Sequence, residues 1–298
     1  IIIPSLELEI PILSRLKERL KGKGIKVLVP DIEQYSMTLK TSLPYFCFRN
    51  KFPTPKTVHV PNIYDIPFYA NQFTYPVIVK GVVASAQKVN NWSDALYYAK
   101  IFNSRWGGGA ILQEKVEGEE YDVSMVAREN GSCASILPMK KLGVNHRGKG
   151  IIGTPVNDPD LINHAQKILK KLHWKGPLEL EFIKSNNTNK YNLIEINPRF
   201  PSWILLSQFA GINQPLTVLK EILNPGQPVR NVINMKKAFV RNVEELTIPF
   251  DNIKTLTSYK SIALDKKIFD KKHHEKKKIK DKKLPSIAIS AINSFDFV

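Results

Sequence analysis

The sequence has few cysteines, no long apolar run and no glycine-rich nucleotide fingerprint. Two cysteines among 298 residues are too few for a disulfide framework, which favours a reducing compartment. No apolar run approaches the roughly 20 residues of a membrane-spanning helix, and the first residues show no signal-peptide pattern. Residues 107–109 are all glycine but precede a predicted strand, so they indicate a turn and not a dinucleotide site. We therefore expect a soluble, cytoplasmic protein with no membrane partner.

Positive charge is abundant but unevenly distributed. The formal net charge is +17, and residues 265–283 contain ten lysines against four acidic residues, a net charge of +6. This segment has no arginine or glycine and only one aromatic residue, Phe269, which is typical of a solvated helix or tail. A basic nucleic-acid-binding protein stays open as an alternative, but we expect no specific nucleic-acid partner.

The order of predicted elements indicates a multidomain chain of mixed α/β and α+β class. Residues 1–35 read as strand, amphipathic helix and strand, which predicts a βαβ unit with parallel pairing. The other predicted elements are a helix at 40–50, a strand at 76–80, a helix at 92–106, a strand at 110–116, a hairpin turning at Asn130-Gly131, a helix at 159–172, paired strands at 177–183 and 191–196, and a helix at 201–211.

Two carboxylates occupy the predicted hairpin of residues 177–196. Because side chains alternate along a strand, a turn centred near Thr188 places Glu181 opposite Glu195, with Asn197 on the same face as Glu195. Carboxylates directly across a ladder repel each other unless a cation lies between them. Two carboxylates and an amide form an oxygen donor set suited to Mg²⁺ or Mn²⁺. An ion pair with Lys or Arg is an equally valid interpretation of the pattern alone.

The stretch LELEFI followed by NLIEINPRFPSW resembles the metal-binding end of the ATP-grasp superfamily, as found in carbamoyl-phosphate synthase large chains and biotin carboxylase. The resemblance implies that Glu181, Glu195 and Asn197 hold the Mg²⁺ ions that bridge ATP phosphates, with Arg199 as a catalytic residue. Other residues match in the family's order: Lys40 and Lys80 at the phosphates, Glu114 and Val116 at the adenine through their backbone groups, and Glu120 at the ribose. The resemblance also implies a catalytic contribution from Lys80.

Two features depart from the family pattern. The segment after Lys80 reads GVVASAQKV, where the family commonly has a glycine-rich loop that closes over the phosphates. The match also starts late, which implies a truncated Rossmann-like first domain. The implied domains are this partial domain and its connector at 1–70, a small lid domain at 71–135, the domain with the metal-binding strands at 136–225 and a C-terminal extension at 226–298.

A basic loop follows the predicted strand that ends near Leu142. Lys140, Lys141, His146 and Arg147 are candidates for binding phosphate or an anionic substrate, and an ordinary solvated basic loop is the alternative.

The resemblance implies an ATP-dependent ligase that activates a carboxylate as an acylphosphate, releasing ADP and phosphate when an amine or thiol attacks. Small-molecule substrates, ATP with Mg²⁺ or Mn²⁺, and a homodimer are the partners it implies. A nucleotide-binding protein with little or no turnover is the first alternative, because of the altered phosphate loop and the truncated first domain.

Overall fold

The structure, a computed structural model, describes residues 1–145, 148, 150–229 and 233–241. His146, Arg147, and most of the C-terminal extension, including the basic segment 265–283, therefore lie outside the described residues. None of the helices in the described part of the chain has the length and apolar content needed to cross a membrane.

The N-terminal segment is built on helices. Helix α1 (Ile10–Gly22) confirms the predicted amphipathic helix. The prediction of a strand on each side of this helix is wrong, because these segments form only one parallel bridge, between Ile2 and Val27. With a single backbone hydrogen bond from Ile2 N to Lys26 O, 3.0 Å long, this pairing is too short to count as a sheet. Helices α2 (Ile32–Thr38) and α3 (Leu43–Asn50) follow, so the helix predicted from Lys40 begins three residues later.

A small antiparallel sheet comes next in the chain. Its strands are β1 (Thr57–Val60), β2 (Val77–Gly81), β3 (Ala86–Val89) and β4 (Ala110–Glu114), in the spatial order β1-β4-β2-β3. Helices α4 (Ile66–Ala70) and α5 (Trp92–Trp106) cover it, and Ala95, Ala99 and Phe102 of α5 join the apolar core formed with β2 and β4. The prediction for α5 is confirmed at both ends.

A larger antiparallel sheet has the order β10-β7-β6-β5-β8-β9. Its strands are β5 (Gly118–Ala127), β6 (Cys133–Val144), β7 (Gly150–Pro155), β8 (Gly176–Ser185), β9 (Tyr191–Asn197) and β10 (Phe239–Val240). The predicted hairpin at Asn130-Gly131 joins β5 to β6. The two sheets therefore divide the chain near residue 116, whereas the predicted lid extends to residue 135; the domain boundaries stay a proposal.

Helices cover both faces of the large sheet. Helix α6 (Pro159–Leu172) packs Leu161, Ala165 and Ile168 against apolar residues of β5 and β8, in the largest hydrophobic core. On the opposite face, α7 (Leu205–Phe209) and α8 (Gln214–Leu223) contribute to two smaller cores. The helix predicted at 201–211 shortens to α7. Before it, the chain forms separate turns, in which the N–H groups of Ile204 and Leu206 donate to the carbonyls of Pro201 and Trp203, three residues earlier.

Both cysteines are free thiols whose burial suppresses ionisation. Burial raises the pKa of Cys47 to about 12 and that of Cys133 to about 11. Because only the thiolate attacks a disulfide reagent, we expect native protein at pH 8 to react with Ellman's reagent about 100-fold or more slowly than an ordinary thiol. Urea-unfolded protein should titrate two thiols. A fast stoichiometric reaction of native Cys47 would contradict its assignment as a buried core residue.

Candidate active site

One face of the large sheet carries a row of ionisable side chains on four neighbouring strands. Since side chains alternate along each strand, the apolar residues of β5 and β8 face α6 while the polar ones face the opposite side. Cross-strand pairing places Asp122 beside Glu181 and Ser124 beside Glu179. The ionisable residues of this face, together with the amide of Asn197, are Glu120 and Asp122 on β5, Lys141 on β6, Glu179 and Glu181 on β8, and Glu195 on β9.

The predicted register of the carboxylate hairpin is confirmed. Glu181 lies directly opposite Glu195, and Glu179 opposite Asn197. Each of the two carboxylates pairs with its own lysine, as the ion-pair alternative predicts; the metal site stays a prediction. Lys141 Nζ lies 3.0 Å from Glu181 Oε2, and Lys40 Nζ lies 2.9 Å from Glu195 Oε1.

Lys40 connects the segment between β2 and β3 to strand β9 of the carboxylate hairpin. It lies in the turn between α2 and α3, and its Nζ donates to the Val83 carbonyl (3.1 Å) as well as to Glu195. Burial alone would lower the pKa of Lys40, but the Glu195 carboxylate outweighs it and raises the pKa. Lys40 is thus a fixed cation at the junction of the small and large sheets.

Lys80 stands at the end of β2 and is only 8% exposed. Among the described residues, no hydrogen bond or ion pair of its Nζ is found within the usual distances. Burial lowers the pKa of Lys80, opposed by the more distant charge of Glu195. A buried ammonium without a direct partner is costly, so this position favours a ligand that brings negative charge.

Residues 82–85 form the hairpin between β2 and β3. Gly81 N donates to the Ser85 carbonyl (3.1 Å), and Ser85 adopts a φ of 79° without being glycine. This segment occupies the place where the resemblance expects a glycine-rich phosphate loop. A short hairpin tied to Lys40 through Val83 is a more constrained structure than such a loop.

Glu179 and Arg199 form the inner part of the site. Glu179 accepts hydrogen bonds from Trp203 Nε1 (2.8 Å) and from Arg199 Nη1 (3.4 Å). Arg199 Nη2 also donates to Asn197 Oδ1 (3.1 Å), while Asn197 Nδ2 donates to Glu181 Oε1 (2.8 Å). Burial raises the pKa of Glu179 to about 8, and the neighbouring charge of Glu181 acts in the same direction. Arg199 thereby fixes both the amide and the innermost carboxylate.

The oxygen donors of this face fit a hard divalent cation. Carboxylate oxygens of Asp122, Glu179 and Glu181 lie within 4.8 Å of one another. Asp122 Oδ1 is buried and lacks a well-aligned hydrogen-bond donor, although Lys141 Nζ is 3.1 Å away. Burial, helped by the charge of Glu181, raises the pKa of Asp122 well above its usual range. Such an excess of acidic oxygens favours added positive charge. In this arrangement Glu195 and Asn197 point their oxygens at Lys40 and Arg199.

The predicted adenine and ribose residues lie at the passage between the sheets. Glu114 ends β4, and its backbone N–H donates to the Lys56 carbonyl (2.8 Å); Val116 lies in the connection to β5. Glu120 Oε2 is 3.3 Å from Lys141 Nζ. A cavity of ≈ 10 Å³ beside them is lined by Lys40, Lys80, Gln113 and Ile194, among others. This volume holds about one water.

Sequence reasoning missed three acidic residues near the site. Asp122 and Glu179 reach it because they share a strand face with Glu120 and Glu181, a signal that the alternation of β5 and β8 already contained. Glu7 comes from the N-terminal segment, and its pKa is raised by burial and by the charge of Glu195, while Lys40 opposes the shift. No local pattern in the sequence links residue 7 to this site.

The predicted basic cluster separates into two faces. Lys141 points into the site, whereas Lys140 pairs with Glu119 and lies over the Tyr121 ring, 5.8 Å from its centroid, on the opposite face. The other two members, His146 and Arg147, lie outside the described residues.

Comparison with known proteins identifies the fold. The family described as "ATP-grasp in the biosynthetic pathway with Ter operon" matches residues 109–246. A carbamoyl phosphate synthase large chain from Clostridium acetobutylicum is 27% identical over 183 residues, covering 53% of this chain and 16% of that protein. The match thus spans less than a fifth of this relative's length.

Solved structures agree. The biotin carboxylase domain dimer of Hydrogenobacter thermophilus 2-oxoglutarate carboxylase, in complex with MgADP and bicarbonate, has a TM-score of 0.61 at 14% identity, covering 76% of this chain and 54% of that one. D-alanine–D-alanine ligase from Bacillus anthracis, complexed with ATP, has a TM-score of 0.54 at 14% identity, covering 71% and 74%. The chain has the ATP-grasp fold, and the resemblance drawn from its sequence is confirmed.

Proposed function

We propose that this chain is an ATP-grasp ligase that uses Mg-ATP to activate a carboxylate for attack by an amine or thiol. The observation that carries the proposal is Lys80, a buried lysine without a direct partner that faces the acidic row of the large sheet. A triphosphate bound between the two sheets would provide the anionic partner that the Lys80 ammonium lacks among the described residues. The fold is shared with a biotin carboxylase domain bound to MgADP and with a D-alanine–D-alanine ligase bound to ATP, which supports a nucleotide as the ligand.

The proposed nucleotide site follows from the order of the residues. Lys40 and Lys80 bind the phosphates, the backbone of Glu114 and Val116 binds the adenine, and Glu120 accepts hydrogen bonds from the ribose. The complex of the D-alanine–D-alanine ligase with ATP supports this ligand class. Lys40 already bridges residues 82–85 and β9, so phosphates arriving there meet a cation held in place.

Glu181, Glu195 and Asn197 are the proposed metal ligands. Of these three, Glu181 belongs to the group of close carboxylates, with Asp122 and Glu179, whose oxygen donors fit Mg²⁺ or Mn²⁺. When bound, the metal would offset the charge of the phosphate oxygens during transfer. Arg199 positions Asn197 and Glu179 through two of its three side-chain hydrogen bonds. We assign it, with Lys80, to stabilising the transferring phosphoryl group.

The proposed reaction has two steps. An oxygen of the substrate carboxylate attacks the γ-phosphorus and ADP leaves, giving an acylphosphate; the amine or thiol then attacks the acyl carbon, and inorganic phosphate leaves. Neither step requires a side-chain nucleophile. Lys141, His146 and Arg147 are the candidates for holding an anionic substrate, whereas Lys140, also predicted, lies on the opposite face of the sheet. We extend the proposal to a homodimer in the cytoplasm, with the four predicted domains; light scattering after gel filtration tests the dimer.

Release of ADP tests the function. The full chain is incubated with Mg-ATP, pools of carboxylic acids and hydroxylamine, which converts an acylphosphate to a detectable hydroxamate. ADP and hydroxamate should appear together with one acid pool, and neither with the Lys80→Met variant. Tight ATP binding without ADP in any pool would replace the ligase by the alternative, a nucleotide-binding protein with little turnover, which the constrained 82–85 hairpin favours.

A further inference from the structure

Lys141 is, like Lys80, a buried cation of the site. Its side chain is 4% exposed, and its Nζ contacts three carboxylates on two neighbouring strands. The distances are 3.0 Å to Glu181, 3.1 Å to Asp122 and 3.3 Å to Glu120. An ammonium has three N–H donors and no acceptor. Two of these contacts are hydrogen bonds, to Glu181 and Glu120, and the contact with Asp122 is an ion pair without an aligned N–H.

The position of Lys141 overlaps with the place where a metal ion is required. Glu181 has two carboxylate oxygens: Oε1 accepts from Asn197 and Oε2 from Lys141. A divalent ion bound to Glu181 would lie within a few ångströms of the ammonium and be repelled by it. Metal and Lys141 consequently compete for the same carboxylate.

Nucleotide binding would weaken this competition. Glu120, the proposed ribose acceptor, is one of the three partners of Lys141, so a bound ribose removes one of its contacts. The triphosphate also brings negative charge that both the ammonium and the metal can share. The two binding events are therefore linked through one side chain.

We propose that Lys141 is an internal counter-ion that keeps divalent metal off Glu181 until the nucleotide is bound, so that metal binds with the nucleotide and not before it. This inference rests on the proposed function, because it assigns Glu181 to the metal and Glu120 to the ribose. It identifies Lys141 as a positioning residue and a determinant of the order of binding.

The test is a titration of the full chain with Mn²⁺ in the absence of nucleotide. The electron paramagnetic resonance signal of free Mn²⁺ measures how much of the metal is bound. Replacing the ammonium removes the competitor, so Lys141→Met should bind Mn²⁺ about tenfold or more tightly than the wild type, the factor expected for losing one charge-assisted contact. Adding Glu181→Gln to Lys141→Met should abolish the gain. Lys184→Met is the matched control, since Lys184 lies on β8 but pairs with Asp158 (3.6 Å) away from the site; its Mn²⁺ affinity should equal that of the wild type.

Loss of Lys141 leaves buried carboxylates unpaired, which threatens folding. The double variant Lys141→Met with Asp122→Asn removes one acid with the base and keeps Glu181 free, so it should show the same gain in Mn²⁺ affinity. The inference is wrong if both folded variants bind Mn²⁺ no more tightly than the wild type does. A separate titration of wild-type protein with Mg-ADP tests the proposed function. Absence of Mg-ADP binding contradicts the nucleotide site. Mg-ADP binding without a gain in Mn²⁺ affinity in the variants contradicts only the role of Lys141.

Discussion

Replacing Lys80 by Met should stabilise the protein without nucleotide and remove most of its affinity for ATP. The ammonium is buried without a direct partner, so an apolar side chain of similar volume removes the cost of keeping this charge out of water. For whole buried ion pairs, the comparable exchange is often neutral or stabilising by about 1–4 kcal/mol. The same change deletes a charge-assisted phosphate contact of about 1.5–3 kcal/mol, roughly 10- to 150-fold in affinity. Urea unfolding and titration calorimetry with Mg-ATP measure the two effects.

The opposite signs of the two effects distinguish a binding residue from a structural one. Lys88→Met is the control, because Lys88 is an exposed lysine on β3, paired across the hairpin with Ile78 of β2. It should change neither quantity beyond experimental error. If Lys80→Met lowers the stability and leaves ATP affinity intact, Lys80 has a structural partner that the site does not require, and the proposed function loses its main support.

The sequence predicts the central elements of the fold well because their signals are local. Helix α5 follows an Asn91 cap and stops at a glycine with positive φ, so both of its ends can be recognised. The hairpin of β8 and β9 is fixed by alternation, and its register puts Glu181 opposite Glu195 as expected. The N-terminal strands fail for the opposite reason. A short apolar stretch shows that residues are suited to a sheet but cannot show whether a partner strand is present.

The site itself divides in the same way. Residues that share a strand face, such as Glu181 and Asn197, can be grouped from the sequence alone. Their partners cannot, since Lys40 reaches Glu195 across 155 positions of the chain and Lys141 reaches Glu181 across 40. Choosing between a metal and an ion pair depended on these distant lysines. The structure shows ion pairs at both carboxylates, so we expect metal binding to require an exchange of partners.

Glu195→Gln is expected to destabilise the protein without nucleotide and to abolish its response to Mg²⁺. Lys40, whose side chain is 16% exposed, loses its carboxylate partner at 2.9 Å. Lys40 keeps the Val83 carbonyl as an acceptor, and Gln keeps an amide oxygen, so only the charge of the acceptor is lost. We expect a loss of about 1 kcal/mol, the difference between a charged and a neutral hydrogen bond. From the sequence alone, removing the repulsion between Glu181 and Glu195 predicts that the variant is as stable as the wild type or slightly more stable. The pairing of Glu195 with Lys40 predicts lower stability instead.

The metal assignment is decided by the difference between ATP and Mg-ATP. A ligand present at 100 times its dissociation constant stabilises the folded state by about 2.7 kcal/mol, so tighter binding in the presence of metal appears as extra thermal stability. The wild type should show this increment over ATP with EDTA, and Glu195→Gln should lose it. Glu119→Gln is the control, because Glu119 is exposed and pairs with Lys140 on the other face; it should keep the increment. An increment that persists in Glu195→Gln would mean that Glu195 serves only as the partner of Lys40, since loss of stability without nucleotide is common to both interpretations.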